Sequence, residues 1–221
     1  MMDVLANVNG VGLSLDGNKE THETIRGSNT FAPVFDAIES LSSAGVPLKL
    51  TCVLTKITRL EDVRFVMETA GRYGIAVNFQ PATICKSGSR DDNPLAMGKD
   101  DYDELFKSIT QLKKESPEII MNSFSGLRHL SRWPGPENIY CGAALIFCNI
   151  DPAGNIYGCI DEPGRKAYAN ILDTGLAEAL RNKRITRCGQ CWCGERVEAN
   201  MILTPVLDAV KNYLLVRKSF D

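Results

Sequence analysis

No charge of one sign dominates this sequence: 25 Lys and Arg stand against 27 Asp and Glu, for a formal net charge of −2. Without a basic excess, nucleic acid is not an expected partner. No run of about 18 apolar residues occurs, so no membrane-spanning helix is expected and no membrane partner. The start, MMDVLANVNGVG, has no basic segment followed by an apolar run. It does not read as a secretory signal, and a cytoplasmic location is expected. There is no internal repeat and no low-complexity tract. What is present is an ordinary globular composition, 44% hydrophobic and 24% charged over 221 residues. That length makes one large domain or two small ones with a real core.

Cysteine is the residue in excess. Eight occur, more than an average cytosolic domain carries. A reducing compartment disfavours structural disulfides, so clustered cysteines point to metal or redox chemistry. The densest stretch is Cys188-Gly-Gln-Cys191-Trp-Cys193. Two thiolates of one turn cannot complete a four-coordinate site, so further ligands must come from elsewhere.

The first 80 residues alternate strand and helix. Val11–Leu15 is a short apolar run ended by Asp16-Gly17. Phe31, Val34, Phe35, Ile38 and Leu41 recur at helical spacing, and Gly45 closes that segment. Val46, Leu48, Leu50, Cys52 and Leu54 alternate as a strand does. Leu60, Val63, Val66, Met67 and Ala70 return to the helical period, and Ile75–Gln80 reads as a third strand. Strands separated by helices imply parallel pairing and an α/β fold. Three such strands leave two free edges, so other strands or a partner are expected to cover them.

A polar loop over 82–99 precedes a helix carried by Tyr102, Leu105, Phe106, Ile109 and Leu112. A second helix is expected from about Asn122 to Arg132, with Phe124, Leu127 and Leu130 on one face. Trp133-Pro134-Gly135-Pro136 breaks the chain, which places a boundary between units 1–133 and 134–221. In the second unit, Ala144–Ile150 and Asn155–Cys159 read as strands around the turn Asp151-Pro-Ala-Gly154, a β-hairpin. A helix is expected over Asn170–Lys183. Thr204-Pro205 reads as an N-cap and first-turn proline opening a last helix to about Arg217.

Cys141 and Cys159 bracket that hairpin, so their thiols can meet at its open end. With Cys188 and Cys191 they make four thiolates, a set that suits zinc or an iron–sulfur cluster equally by spacing. Cys148 and Cys52 read as packed strand residues. Cys193 is an alternative to Cys191 with poorer spacing, and Cys85 reads as an unremarkable loop cysteine.

The segment Ser14-Leu-Asp-Gly17 followed by Thr21-His-Glu-Thr-Ile-Arg-Gly27, then a helix and an alternating strand to Thr55, resembles the second half of a radical SAM core domain. Cys141-X12-Gly154-X4-Cys159 and Cys188-X2-Cys191 resemble a SPASM or twitch auxiliary domain. Together they cover about residues 8–195. The resemblance implies half of a partial (β/α)6 barrel followed by a small β-hairpin and helix unit. It implies an auxiliary [4Fe–4S] cluster on Cys141, Cys159, Cys188 and Cys191, which tips the metal from zinc toward iron–sulfur. It also implies that Ser14 and Arg26 contact the carboxylate or ribose of S-adenosyl-L-methionine. Asn78 and Gln80, two apart at a strand end, share one face and are cofactor- or ligand-side residues on this view. Asp16 and Gly17 read as turn-shaping, and His22 as either a substrate-binding residue or a surface residue at a helix start.

The CxxxCxxC loop that cleaves S-adenosyl-L-methionine in such enzymes is absent from these 221 residues. The expectation is therefore the C-terminal portion of a longer enzyme, inactive on its own. That enzyme would modify or oxidise a peptide or small molecule by 5′-deoxyadenosyl radical chemistry. An electron donor or acceptor protein is a possible partner. Two alternatives stand beside it: a non-catalytic electron-transfer or binding module, and a structural four-cysteine zinc domain.

Overall fold

The computed structural model describes residues 8–83, 92–135, 139–161, 166–181, 191–203 and 207–217. Strands β1 (Val11–Ser14), β2 (Leu48–Leu54) and β3 (Ala76–Pro81) form a parallel sheet in that order. Helices α1 (Lys19–Arg26) and α2 (Phe31–Ser43) lie between β1 and β2, and α3 (Leu60–Tyr73) lies between β2 and β3. The expected strand–helix alternation is therefore present.

Alternation gives the sheet two different faces. Along β2, Leu48, Leu50, Cys52 and Leu54 are buried while Lys49, Thr51 and Val53 are half-exposed. The leucine face joins the core with Ile38 and Leu41 of α2, Val63, Val66, Met67 and Ala70 of α3, and Val77 and Phe79 of β3. Each buried Leu, Ile, Val, Met or Phe among them contributes roughly 1.5–3 kcal/mol. The other face is polar: β1 and β3 bring Ser14 and Asn78 into register with Thr51, and Gln80 into register with Val53.

Local caps fix where the helices begin and end. Asn18 accepts from the Thr21 N–H at 3.1 Å to start α1. Asp62, in the first turn of α3, accepts from the Arg59 N–H at 2.9 Å and from the Asn18 N–H at 3.2 Å. This carboxylate joins the turn after β1 to the head of α3. Gly17 is required there: its φ is +145°, and an added Cβ would lie 2.5 Å from Asp62 Oδ1. Gly74 at φ 64° closes α3.

One of the two sheet edges is covered from within the chain. The Val77 N–H donates to Ile119 O at 2.8 Å, and the Met121 N–H to Val77 O at 2.7 Å, so a short parallel segment covers β3. Asn122 prolongs this pairing with its carboxamide, accepting from the Phe79 N–H at 2.8 Å and donating to Phe79 O at 3.1 Å. Among the described residues, no strand pairs with the outer edge of β1.

Helix α4 (Lys99–Glu115) buries Tyr102, Leu105, Phe106, Ile109 and Leu112 as its period requires. Helix α5 is shorter than expected, Phe124–Leu130, because Asn122 is used by β3 and Ser123 is the N-cap, accepting from the Gly126 N–H at 2.9 Å. Phe124 faces solvent, while Leu127 and Leu130 are buried. Lys113 is buried with three acceptors: Pro117 O at 2.7 Å, Ile120 O at 2.6 Å and Asn212 Oδ1 at 2.7 Å. Burial lowers its pKa to about 8.

Beyond residue 139, β4 (Asn149–Ile150) and β5 (Asn155–Tyr157) pair antiparallel, and β6 (Ala169–Asn170) adds to β5. Asp151 holds the intervening turn by accepting from the Ala153 and Asn155 N–H groups, each at 2.9 Å. The first strand is far shorter than the expected Ala144–Ile150, because Ala144 turns the chain at φ 61°. The expected helix over 170–183 is also divided. Helices α6 (Ile171–Thr174) and α7 (Leu176–Arg181) are separated by Gly175 at φ 75°. Helices α8 (Gly194–Leu203) and α9 (Leu207–Arg217) complete the described chain. Helix α9 is described to Arg217, whereas its expected Thr204-Pro205 cap lies outside the described residues. Val197, Met201 and Ala209 from α8 and α9 join the same core as the sheet.

Candidate metal and cofactor site

The polar face of the sheet is roofed by the start of α8. The Gly194 N–H donates to Gln80 Oε1 at 3.1 Å. Glu195 forms an ion pair with Lys49 at 2.8 Å and accepts from Thr51 Oγ1 at 3.2 Å. Gly194 lies so close to β3 that an added Cβ would sit 2.3 Å from Asn78 Oδ1. The residues just before α8 are Cys191, Trp192 and Cys193, so this seat delivers the cysteine clip to the sheet. Cys193 O accepts from the Val197 N–H at 2.9 Å, which places Cys193 at the head of the helix.

A second anchor comes from α5. His129 Nε2 bonds to Cys191 O at 2.7 Å, and its ring lies 5.1 Å from that of Trp192. Cys141 is brought toward α8 by its neighbour, the Gly142 N–H donating to Asn200 Oδ1 at 2.7 Å.

Cys159 and Cys193 both interact with Arg196. The guanidinium donates from Nη1 to Cys159 Sγ and from Nη2 to Asp161 Oδ2 at 2.6 Å, and its charge is stabilised by Cys193. Burial pushes the Cys191 thiol up to about 12, against the opposing pull of Arg196, and Cys193 and Cys159 both act on it electrostatically. Burial raises the Cys159 thiol as well, again opposed by Arg196. Cys159, Cys191 and Cys193 therefore share one electrostatic neighbourhood. Among the described residues, no three His, Cys, Asp or Glu side chains converge as a metal-binding group. Cys188, the remaining member of the clip, lies outside the described residues, as does Cys85. In chemistry the donor set fits: soft sulfur beside a helix N-terminus and a guanidinium suits a thiolate-bound iron–sulfur centre or zinc. Cys148 is half-buried and precedes β4 rather than lying within a strand, while Cys52 is fully buried in the core.

The residues expected to face S-adenosyl-L-methionine fall into two groups. Ser14 ends β1 and is half-buried. Arg26 ends α1 and is held by Asp16, Nε to Oδ2 at 2.5 Å and Nη2 to Oδ1 at 3.3 Å. Asp16 is 0% exposed and also accepts from the Val53 N–H at 2.8 Å, so the arginine is fixed to the strand ends. Asn78 and Gln80 form the second group, beneath α8. Asn78 Oδ1 accepts from Asn122 Nδ2 at 2.9 Å, while its own buried Nδ2 has no hydrogen-bond partner among the described residues. His22 is buried, so the surface reading does not hold. Its Nδ1 accepts from the Asp16 N–H at 3.3 Å, and burial lowers its pKa.

Sequence reading missed Arg196, Glu195 and His129. Arg196 and Glu195 sit within three residues of Cys193, and that adjacency was the available signal. His129 carried none, because its contact with the clip exists only after folding.

The fold defined by these strands and helices is shared with solved AdoMet-bound proteins. A structure of anSMEcpe with bound AdoMet matches over 95% of this chain and 62% of its own, with TM-score 0.55 and 19% identity. Another, with AdoMet and the Cp18Cys peptide bound, matches over 98% of this chain and 68% of its own, with TM-score 0.53 and 19% identity. The chain resembles radical SAM enzymes of the SPASM type over part of their length. Among curated relatives, mycofactocin maturase MftC of Mycolicibacterium smegmatis is 30% identical over 177 residues, 75% of this chain and 42% of the relative. MftC of Mycobacterium ulcerans is 28% identical over 206 residues, 82% of this chain and 52% of the relative. The chain thus spans about half the length of the curated relatives it matches. No protein-family model matches it.

Proposed function

We propose that this chain is the C-terminal portion of a radical SAM enzyme that modifies a peptide, and that it carries one auxiliary [4Fe–4S] cluster on Cys141, Cys159, Cys188 and Cys191. On this reading residues 1–133 are half of a partial barrel, and residues 134–221 are the cluster-binding unit. The observation that carries it is the seating of the cysteine clip on the polar sheet face, through Gly194, Glu195 and His129. The peptide substrate is supported by the maturase relatives and by the peptide bound to anSMEcpe.

Each residue then has a task. Ser14 and Arg26 sit at the end of β1 and α1, where a hydroxyl and a fixed guanidinium can grip a carboxylate. Asp16 orients Arg26. Asn78 offers its free Nδ2–H, and Gln80 fixes the head of α8. The cluster, when bound, supplies one-electron acceptance or relay.

The test uses the whole polypeptide that contains this chain. Loaded with iron and sulfide, and given S-adenosyl-L-methionine and a reductant, it should release 5′-deoxyadenosine when its peptide is present. Arg26→Ala should weaken S-adenosyl-L-methionine binding with iron content unchanged. Iron-loaded protein that never releases 5′-deoxyadenosine would remove the enzymatic reading.

A further inference from the structure

Arg196 occupies an unusual position. It is the third residue of α8, and a cation in a helix's first turn opposes the helix dipole. Its side chain is only 16% exposed, so it also gives up hydration. One carboxylate, Asp161, balances the charge through Nη2. The other arm is aimed at sulfur: Nη1 donates to Cys159 Sγ. A neutral thiol is a weak acceptor, whereas a sulfur carrying negative charge is a strong one. The arrangement is built for sulfur that is charged.

We propose that Arg196 is a positioning residue of the thiol site, a fixed cation that donates to ligating sulfur and raises the reduction potential of the centre held there. The inference rests on the proposed reading of Cys159 as a ligand of an iron–sulfur cluster. Reduction adds one electron to the centre from an external donor, with no bond made or broken. The added negative charge is stabilised by a neighbouring cation and by hydrogen bonds to the sulfurs. Arginine keeps its proton throughout the accessible range, so the effect is constant rather than switched.

The experiment is an EPR-monitored potentiometric titration of the reconstituted full chain, with iron and sulfide measured on the same samples. Arg196→Gln is expected to make reduction at least tenfold less favourable, a fall of about 59 mV for one electron, with iron and sulfide per chain unchanged. Arg196→Lys keeps the charge but loses the fork, and should fall between. Asp161→Asn frees the guanidinium from its carboxylate and should shift the potential upward. An iron-loaded Arg196→Gln with the wild-type potential overturns this inference alone. A wild-type chain that takes up no iron overturns it together with the cluster reading. Should Arg196→Gln fail to hold iron, the other two variants decide: a potential unmoved or lowered in Asp161→Asn, or unmoved in Arg196→Lys, overturns the proposal.

Discussion

Single atoms decide how the cysteine clip reaches the sheet. Gly194 is the point of closest approach, and its missing Cβ is what lets α8 begin over Asn78. Gly194→Ala would force a methyl to within 2.3 Å of a buried carboxamide that Asn122 already holds. Overpacking of this kind costs typically 1–3 kcal/mol, and a cost of about that size is expected in urea denaturation. The variant should also hold its metal less well, because the lifted segment carries Cys191 and Cys193. A Gly194→Ala protein of wild-type stability would show that the approach is looser than described. Arg26 is the comparable case at the other end of the face. Its charge is oriented by the buried Asp16 carboxylate, so Asp16→Asn should weaken S-adenosyl-L-methionine binding in the whole enzyme about as Arg26→Ala does. Unchanged affinity would limit Asp16 to shaping its turn.

Helix α8 is the element that joins the two halves of the site, and it was the element least legible in the sequence. Val197 and Met201 supply an apolar pair, but the residues buried with them are Gly194, Glu198 and Asn200. A period written in glycine, carboxylate and amide does not show as hydrophobic patterning. The strands of the parallel sheet were legible for the opposite reason: leucines alternating in β2 face a single core, and helical spacing on either side matches it. The split at Gly175 and the early turn at Ala144 were not legible, because each depends on one residue's φ. Glu198 gives α8 a pH signature. Its Oε1 accepts from the Ser123 N–H at 2.8 Å, yet burial raises its pKa to about 7. Lys113 of α4 favours its charged form, and Asp208 of α9 opposes it. The folded-state value lies above the unfolded 4.5, so this group's stabilising contribution is present below about 4.5 and lost as pH rises through 7. Glu198→Gln keeps an acceptor for Ser123 and removes the charge. It should stabilise the protein at pH 8 by about 3 kcal/mol and have little effect at pH 4. Equal shifts at both pH values would assign the effect to packing.

At the scale of the whole molecule, the parallel sheet provides two working surfaces. One face is core. The other collects Ser14, Lys49, Thr51, Asn78 and Gln80, and is met by the chain that follows the last cysteines. The four-cysteine set is an expectation from spacing; the described residues bring Cys159, Cys191 and Cys193 into one neighbourhood, and Cys188 lies outside them. The surroundings were not legible, since Arg196 meets the Cys159 sulfur, Asp161 meets Arg196, and His129 meets the Cys191 carbonyl only in three dimensions. The central claim is that Cys141, Cys159, Cys188 and Cys191 hold one iron–sulfur centre. The most direct measurement is iron, acid-labile sulfide and zinc per chain after anaerobic reconstitution, on wild type beside Cys159→Ala. The account predicts about four iron and four sulfide per wild-type chain, lost in Cys159→Ala with the sheet still folded by circular dichroism. Zinc without sulfide in the wild type, or iron fully retained in Cys159→Ala, would contradict it.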